Sequence, residues 1–134
     1  MISYLLDTCT CIYTLNNRPK EVAQALTEHI NSVAISALTY YELMYGAFQS
    51  NNPDRQLKAI EAFTALLPIL SFDQSAAKHS GNVRSELKKL GTPIGPVDTL
   101  IAGHALSLNL TVVTNNTKEF ERVSELQIEN WVNT

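Results

Sequence analysis

The chain contains no apolar stretch of membrane-spanning length, and its first residues lack the basic region, apolar run and small-residue cleavage site of a secretory signal. The expected address is the cytoplasm. Cysteine is scarce. Cys9 and Cys11 lie too close together to staple a fold, and they read as free thiols in a reducing compartment. No second Cys pair or spaced His pair accompanies Cys9-Thr10-Cys11, which excludes a zinc knuckle. His29, His79 and His104 share no motif, and His104 reads as a helix residue packed near a site and not as a base. There is no Gly-x-Ser-x-Gly elbow and no phosphate-binding glycine loop. Positive charge is also thin, with 10 Lys and Arg against 13 Asp and Glu and a net charge of -3. That balance argues against a general nucleic-acid binder but not against a nuclease, whose metal ions supply positive charge locally. Arg84, Lys88 and Lys89, with Arg55 and Lys58, read as solvated helix faces, available to phosphates only where they line a crevice.

The 134 residues, 45% of them hydrophobic, suffice for one core, so a single domain over 1–134 is expected. No linker, repeat or low-complexity segment interrupts it. Strand-like and helix-period segments alternate: residues 2–6 and 33–36 as strands, 69–72 as a third, 110–114 as a fourth, and an edge strand around 126–128. Helices are expected over 8–15, 19–30, 39–49 and from Asn52-Pro53 through Leu67. Two more run from Asp73 to Leu90 and from Pro96 to Leu108. Ala76, Val83, Leu87 and Leu90 are assigned to the core face of the helix ending at Gly91. The class is α/β with a mostly parallel sheet of four to five strands flanked by helices.

Four acids fall where strands end or helices begin. Asp7 closes Ile2-Ser3-Tyr4-Leu5-Leu6, Glu42 follows Val33-Ala34-Ile35-Ser36, and Glu119 follows Leu110-Thr111-Val112-Val113-Thr114. Asp98 follows the loop Gly91-Thr92-Pro93-Ile94-Gly95-Pro96. In an open parallel sheet the carboxyl ends of the strands share one crevice, so acids remote in sequence meet there. Gathered carboxylates repel unless cations neutralise them or some stay protonated, and oxygen ligands without His or Cys suit Mg²⁺ or Mn²⁺. Such ions activate water and stabilise charge on a phosphate, which points to phosphodiester chemistry. Each acid also has a plainer role: Asp7 as a helix cap, Glu42 in a capping box with Thr39, Asp98 compensating a helix dipole, Glu119 as a solvated residue. Their joint placement favours the site.

Four blocks resemble, in order, those of the VapC toxins, PIN-domain ribonucleases of bacterial toxin-antitoxin pairs. They are Leu5-Leu6-Asp7-Thr8; Tyr41-Glu42-Leu43-Met44-Tyr45-Gly46; Gly91-Thr92-Pro93-Ile94-Gly95-Pro96-Val97-Asp98 with Ile101-Ala102-Gly103-His104-Ala105; and Val113-Thr114-Asn115-Asn116 with Glu119-Phe120. The resemblance covers essentially the whole chain. It implies a PIN fold and a Mg²⁺-dependent endoribonuclease, with Mn²⁺ able to substitute, whose leading substrate is tRNA, initiator tRNA first. It also implies inhibition by a VapB-type antitoxin, contact with DNA only through that antitoxin, and a homodimer within the hetero-oligomer. By the same resemblance Asp7 and Asp98 are the principal metal ligands and Glu42 and Glu119 the supporting acids. Thr8, Cys9, Thr114, Asn115 and Asn116 surround them. The chain departs from the family at Cys9, where Asn is usual, and at Asn115 and Asn116, where many relatives carry an acid. Leu43, Tyr45, Phe48, Leu57 and Phe63, on the helices before and after Pro53, are more apolar residues than one small core needs, so a dimer seam or antitoxin groove is expected to use some of them and core packing to take most.

Two rival functions accompany this reading. A catalytically weak PIN fold would serve as a binding module for its antitoxin. A receiver-like phosphoacceptor domain would use Asp73, but paired acids after the first strand and a Lys after the last are missing.

Overall fold

A computed structural model describes residues 1–132. Five parallel strands form one sheet in the order β3-β2-β1-β4-β5. They are β1 (Tyr4–Leu6), β2 (Val33–Ser36), β3 (Ile69–Leu70), β4 (Thr111–Val113) and β5 (Ile128–Glu129). β1 pairs with β2 on one side and β4 on the other, with Leu5 between Ala34 and Val112 and Leu6 between Ile35 and Val113. Because side chains alternate across a strand, Leu5 and Val112 face one layer and Leu6, Ile35 and Val113 the other.

The helices cover both faces, as a buried parallel sheet requires. On one face pack α1 (Thr8–Asn16), α2 (Lys20–His29), α3 (Ala37–Gln49) and α4 (Pro53–Thr64), burying Cys11, Val22, Leu26, Leu43, Ile60 and Phe63. On the other pack α5 (Gln74–Lys89), α6 (Pro96–Leu108) and the short α7 (Thr117–Phe120), burying Val83, Leu87, Ile101, Ala105 and Phe120. Local chemistry sets the bounds. Asn52 caps α4 by accepting from the Arg55 amide at 3.2 Å, with Pro53 at the first helical position. Asp73 caps α5 by accepting from the Ala76 amide at 2.9 Å. Gly91, at φ +71, turns the chain away after α5.

Several expectations are corrected. The third strand keeps only Ile69–Leu70, because it is an edge strand paired with β2 over two positions. The last strand lies at Ile128–Glu129, slightly beyond the expected place. α2 ends at His29, and Ile30 opens a 3-10 turn. Leu90 is 69% exposed, since the helix has ended beneath it. Leu43 and Phe63 are core residues, whereas Tyr45 and Phe48 are exposed. The sheet order, and Asp73's use as a cap after an edge strand, also set this chain apart from a receiver, whose order is 2-1-3-4-5. No described helix is long and apolar enough to cross a membrane.

Candidate active site

β1 lies at the centre of the sheet, and its carboxyl end opens on the crevice between the two helical layers. Asp7, the next residue, is 3% exposed and fully engaged. Its Oδ1 accepts from the Thr10 amide at 2.9 Å, which caps α1. Its Oδ2 accepts from the Thr114 hydroxyl at 2.5 Å and, at 3.7 Å, from the Cys9 thiol. Burial raises the Asp7 carboxyl above its ordinary range, and the Thr114 and Thr10 bonds work the other way. Thr10 Oγ1 in turn donates to the Val113 carbonyl at 3.0 Å, which ties α1 to β4.

Asp98 and Glu119 form the second part. α6 starts at Pro96 and places Asp98 in its first turn, while Glu119 sits on α7. The Asn116 amide bridges them, donating to Asp98 Oδ2 at 3.1 Å and to Glu119 Oε2 at 2.5 Å. The Asn116 backbone amide donates to Thr114 Oγ1 at 2.9 Å, so one turn orders three carboxylates, Asp7 included. Burial first, and then Glu119, push Asp98 up to about 7. A hydrogen bond from Asp98 holds Glu119 below its ordinary range. The pair therefore shares one proton, as neighbouring carboxylates do.

Glu42 joins through α1. Thr8, the first residue of that helix, donates its hydroxyl to Glu42 Oε1. The capping box expected for Glu42 does not form. Ser36 caps α3 instead, accepting from the Leu38 amide at 3.1 Å, and Thr39 is buried with an unpartnered hydroxyl. Asn115 turns away, donating to the Tyr13 hydroxyl at 3.1 Å and accepting from the Asn130 amide at 3.3 Å. His104 is buried, its Nδ1 2.9 Å from Ser36 Oγ and its ring edge-on to Phe72. Burial lowers its pKa, as it does for any packed imidazole. Sequence reasoning missed Ser36 and Tyr13, since neither lies in a chemical motif.

Among the described residues no three Asp, Glu, His or Cys side chains already converge on one point. Asp98 with Glu119 is the tight pair, Asp7 stands near enough for its charge to raise Asp98, and Glu42 is held at the α1 start. The donor set still fits a hard cation. All four groups are carboxylates, and one pair retains a proton that a cation would displace. Gly95 leaves the approach open: a Cβ there would meet Asp98 Oδ2 at 3.5 Å and Glu119 Oε2 at 4.0 Å.

A parallel sheet whose central strand delivers Asp7 to a crevice shared with Asp98 and Glu119 defines a PIN-domain protein, and the PIN domain family model matches residues 4–126. The tRNA(fMet)-specific endonuclease VapC of Salmonella typhimurium is 45% identical over 131 residues, 98% of this chain and 99% of that protein. Ribonuclease VapC2 of Haemophilus influenzae is 42% identical over 132 residues, 98% and 100% of the two chains. The toxin fold superposes on a chain of the DNA-bound VapBC structure from Salmonella typhimurium with a TM-score of 0.94, at 45% identity, covering 98% of this chain and 99% of that one. For VapBC2 of Rickettsia felis, bound to a DNA fragment from its promoter, the values are 0.91, 37%, 98% and 99%. The chain belongs to the VapC family of PIN-domain proteins.

Proposed function

We propose that this chain is the toxin of a VapBC pair, a divalent-metal-dependent endoribonuclease restrained by a VapB-type antitoxin. The observation that carries the reading is the convergence of Asp98 and Glu119 on the Asn116 side-chain amide, with buried Asp7 tied to the same turn through Thr114, a gathering of carboxylates that a hard cation would relieve. Asp7 and Asp98 would be the principal ligands of Mg²⁺, or of Mn²⁺ in its place, with Glu42 and Glu119 supporting. A bound cation supplies an activated water and charge stabilisation at phosphate. The chain's own groups do the positioning. Thr114 and the Thr10 amide fix the plane of the Asp7 carboxylate, Asn116 spaces Asp98 from Glu119, and Thr8 orients Glu42. Pre-set carboxylates lose little freedom when the reacting phosphate arrives.

The names of the relatives point to tRNA, and the tRNA(fMet)-specific endonuclease makes initiator tRNA the first substrate to try. The DNA-bound VapBC structures support an antitoxin partner, and we infer that contact with DNA runs through that antitoxin and that the toxin is a homodimer inside the assembly. The weak-module alternative rests on Cys9. Asp7 already accepts from two other donors, so loss of an amide at position 9 leaves it ordered. The deciding experiment is cleavage of a total tRNA pool by the purified chain with Mg²⁺, Mn²⁺ or EDTA, with the cut ends mapped. Cation-dependent loss of initiator tRNA is expected. Undiminished cutting in EDTA, or none with either ion, overturns the proposal.

A further inference from the structure

The acids occupy one side of the first turn of α6. The other side opens on a groove of about 500 Å³ between α5 and α6, walled by Phe72, Gly81, Leu87, Ile94, Pro96 and Leu100, with Arg84 also lining it. The two helices pack antiparallel, with Phe72 against His104 and Ser80 hydrogen-bonded to the Leu100 carbonyl at 3.2 Å. Arg84, one turn beyond Ser80, therefore stands level with the first turn of α6. Pro96 and Leu100 lie almost opposite Asp98 on that helix, at 100° per residue. A strand crossing the N-terminal turn of α6 would meet the carboxylates on one side and this groove on the other.

The lining suits one kind of occupant. Its walls are mostly apolar, with a phenyl ring and two prolines, Pro93 and Pro96, and the volume falls within the usual range of small-ligand pockets. Arg84 is exposed and makes no hydrogen bond or ion pair with other described residues. Flat apolar surface beside an uncommitted guanidinium is how single-stranded nucleic acid is held: bases stack, and a planar cation takes a phosphate or stacks itself. The groove also shares the segment Pro93 to Pro96 with the approach to Asp98, so an occupant there is continuous with the scissile site. We propose that the α5–α6 groove seats a nucleobase of the RNA substrate next to the cleaved linkage and that Arg84 holds the phosphate attached to it. The proposal rests on the ribonuclease reading above, and it adds a subsite that sets which nucleotide flanks the cut.

Gly81 gives a clean test, because a Cβ added there meets nothing within 4 Å, so its side chain can be enlarged into the groove without backbone strain. Gly81→Phe fills the pocket, Gly81→Ala leaves it open, and Arg84→Gln removes the charge. The readout is anisotropy of a fluorescein-labelled single-stranded oligoribonucleotide of mixed sequence, in EDTA, with circular dichroism to check folding. Gly81→Phe and Arg84→Gln should each raise Kd about ten-fold, and Gly81→Ala should bind like wild type. With Mg²⁺ the same two variants should raise KM and largely spare kcat. Equal Kd values in all four proteins, or no binding by wild type, overturn the subsite. So does a Gly81→Phe protein that separates into monomers in sedimentation while binding RNA normally, because the groove then holds a second copy of the chain. A wild type that binds RNA through the groove but cuts nothing with either cation leaves the subsite standing and refutes the ribonuclease reading alone.

Discussion

Asp98 is held in a state that suits a cation better than water. Its carboxyl rises from an ordinary 3.8 to about 7 through burial and then through Glu119, so its stabilising contribution is full below 3.8 and is lost as pH rises through about 7. Glu119, held low by the hydrogen bond from Asp98, contributes above its ordinary 4.5 and loses that contribution as pH falls. In EDTA the thermal midpoint should therefore peak at mildly acidic pH and fall toward about pH 8, and Mg²⁺ should remove the alkaline fall. Asp98→Asn should remove it too while reducing RNA cleavage by about a hundred-fold or more, since a neutral amide cannot replace an anionic ligand. A midpoint in EDTA that stays flat across neutral pH would refute the shared proton. Cys9 is the other informative residue. Burial, followed by the charge of Asp7, pushes its thiol up to about 12, so it stays protonated and a poor nucleophile. Alkylation by iodoacetamide, followed by mass spectrometry, should be much slower at Cys9 than for a free thiol, and mild peroxide should leave cleavage unchanged. Reversible inactivation by peroxide in wild type but not in Cys9→Asn would make Cys9 a redox-sensitive thiol instead.

At the scale of elements, the α5–α6 contact sets the depth of the site because it brings two backbones together. A Cβ on Gly103 would stand 2.4 Å from Ser80 Cα, a clash with backbone that no rotamer relieves. Gly103→Ala should destabilise by about 1–3 kcal/mol by overpacking, outweighing the roughly 1 kcal/mol that alanine gains over glycine in a helix. Gly46→Ala, in open space on α3, should instead stabilise by about 0.5–1 kcal/mol. Urea titration of both proteins checks the contrast, and a stable Gly103→Ala would refute the close packing. The starts of α4 and α6 were legible because Asn52-Pro53 and Gly95-Pro96 punctuate the chain chemically, whereas α4 ends at Thr64, short of the expected Leu67. The start of α3 was not, since Ser36 and Thr39 are both good caps and only the end of β2 selects Ser36. Leu90 continues the spacing of Val83 and Leu87, but periodicity does not register that Leu90 already lies past the last helical residue. In the site, Asn116 and Glu119 are three apart and readable as neighbours, whereas the reach of Asn116 to Asp98 and of His104 to Ser36 exists only in three dimensions.

At the scale of the molecule, α3 joins the site to the surface. Tyr41, Tyr45 and Phe48 follow one another at helical spacing and are 64%, 61% and 62% exposed, an aromatic stripe that a lone chain would leave in water. Tyr41 adjoins Glu42, whose carboxylate is held at the start of α1, so a partner seated on the stripe extends to the edge of the acidic crevice. That placement suits an inhibitor better than a remote dimer seam. Aromatic anchors of this kind often carry most of an interface's affinity, about 2 kcal/mol or more each. Tyr45→Glu should therefore leave RNA cleavage by the free toxin near the wild-type rate, because Tyr45 takes no part in the hydrogen bonds that hold the four acids. It should weaken inhibition by the cognate antitoxin by thirty-fold or thereabouts, the equivalent of about 2 kcal/mol. The assay is RNA cleavage during titration with antitoxin, run beside light scattering of the toxin alone. A Tyr45→Glu protein that is still silenced by equimolar antitoxin but has become monomeric would assign the stripe to the toxin dimer instead.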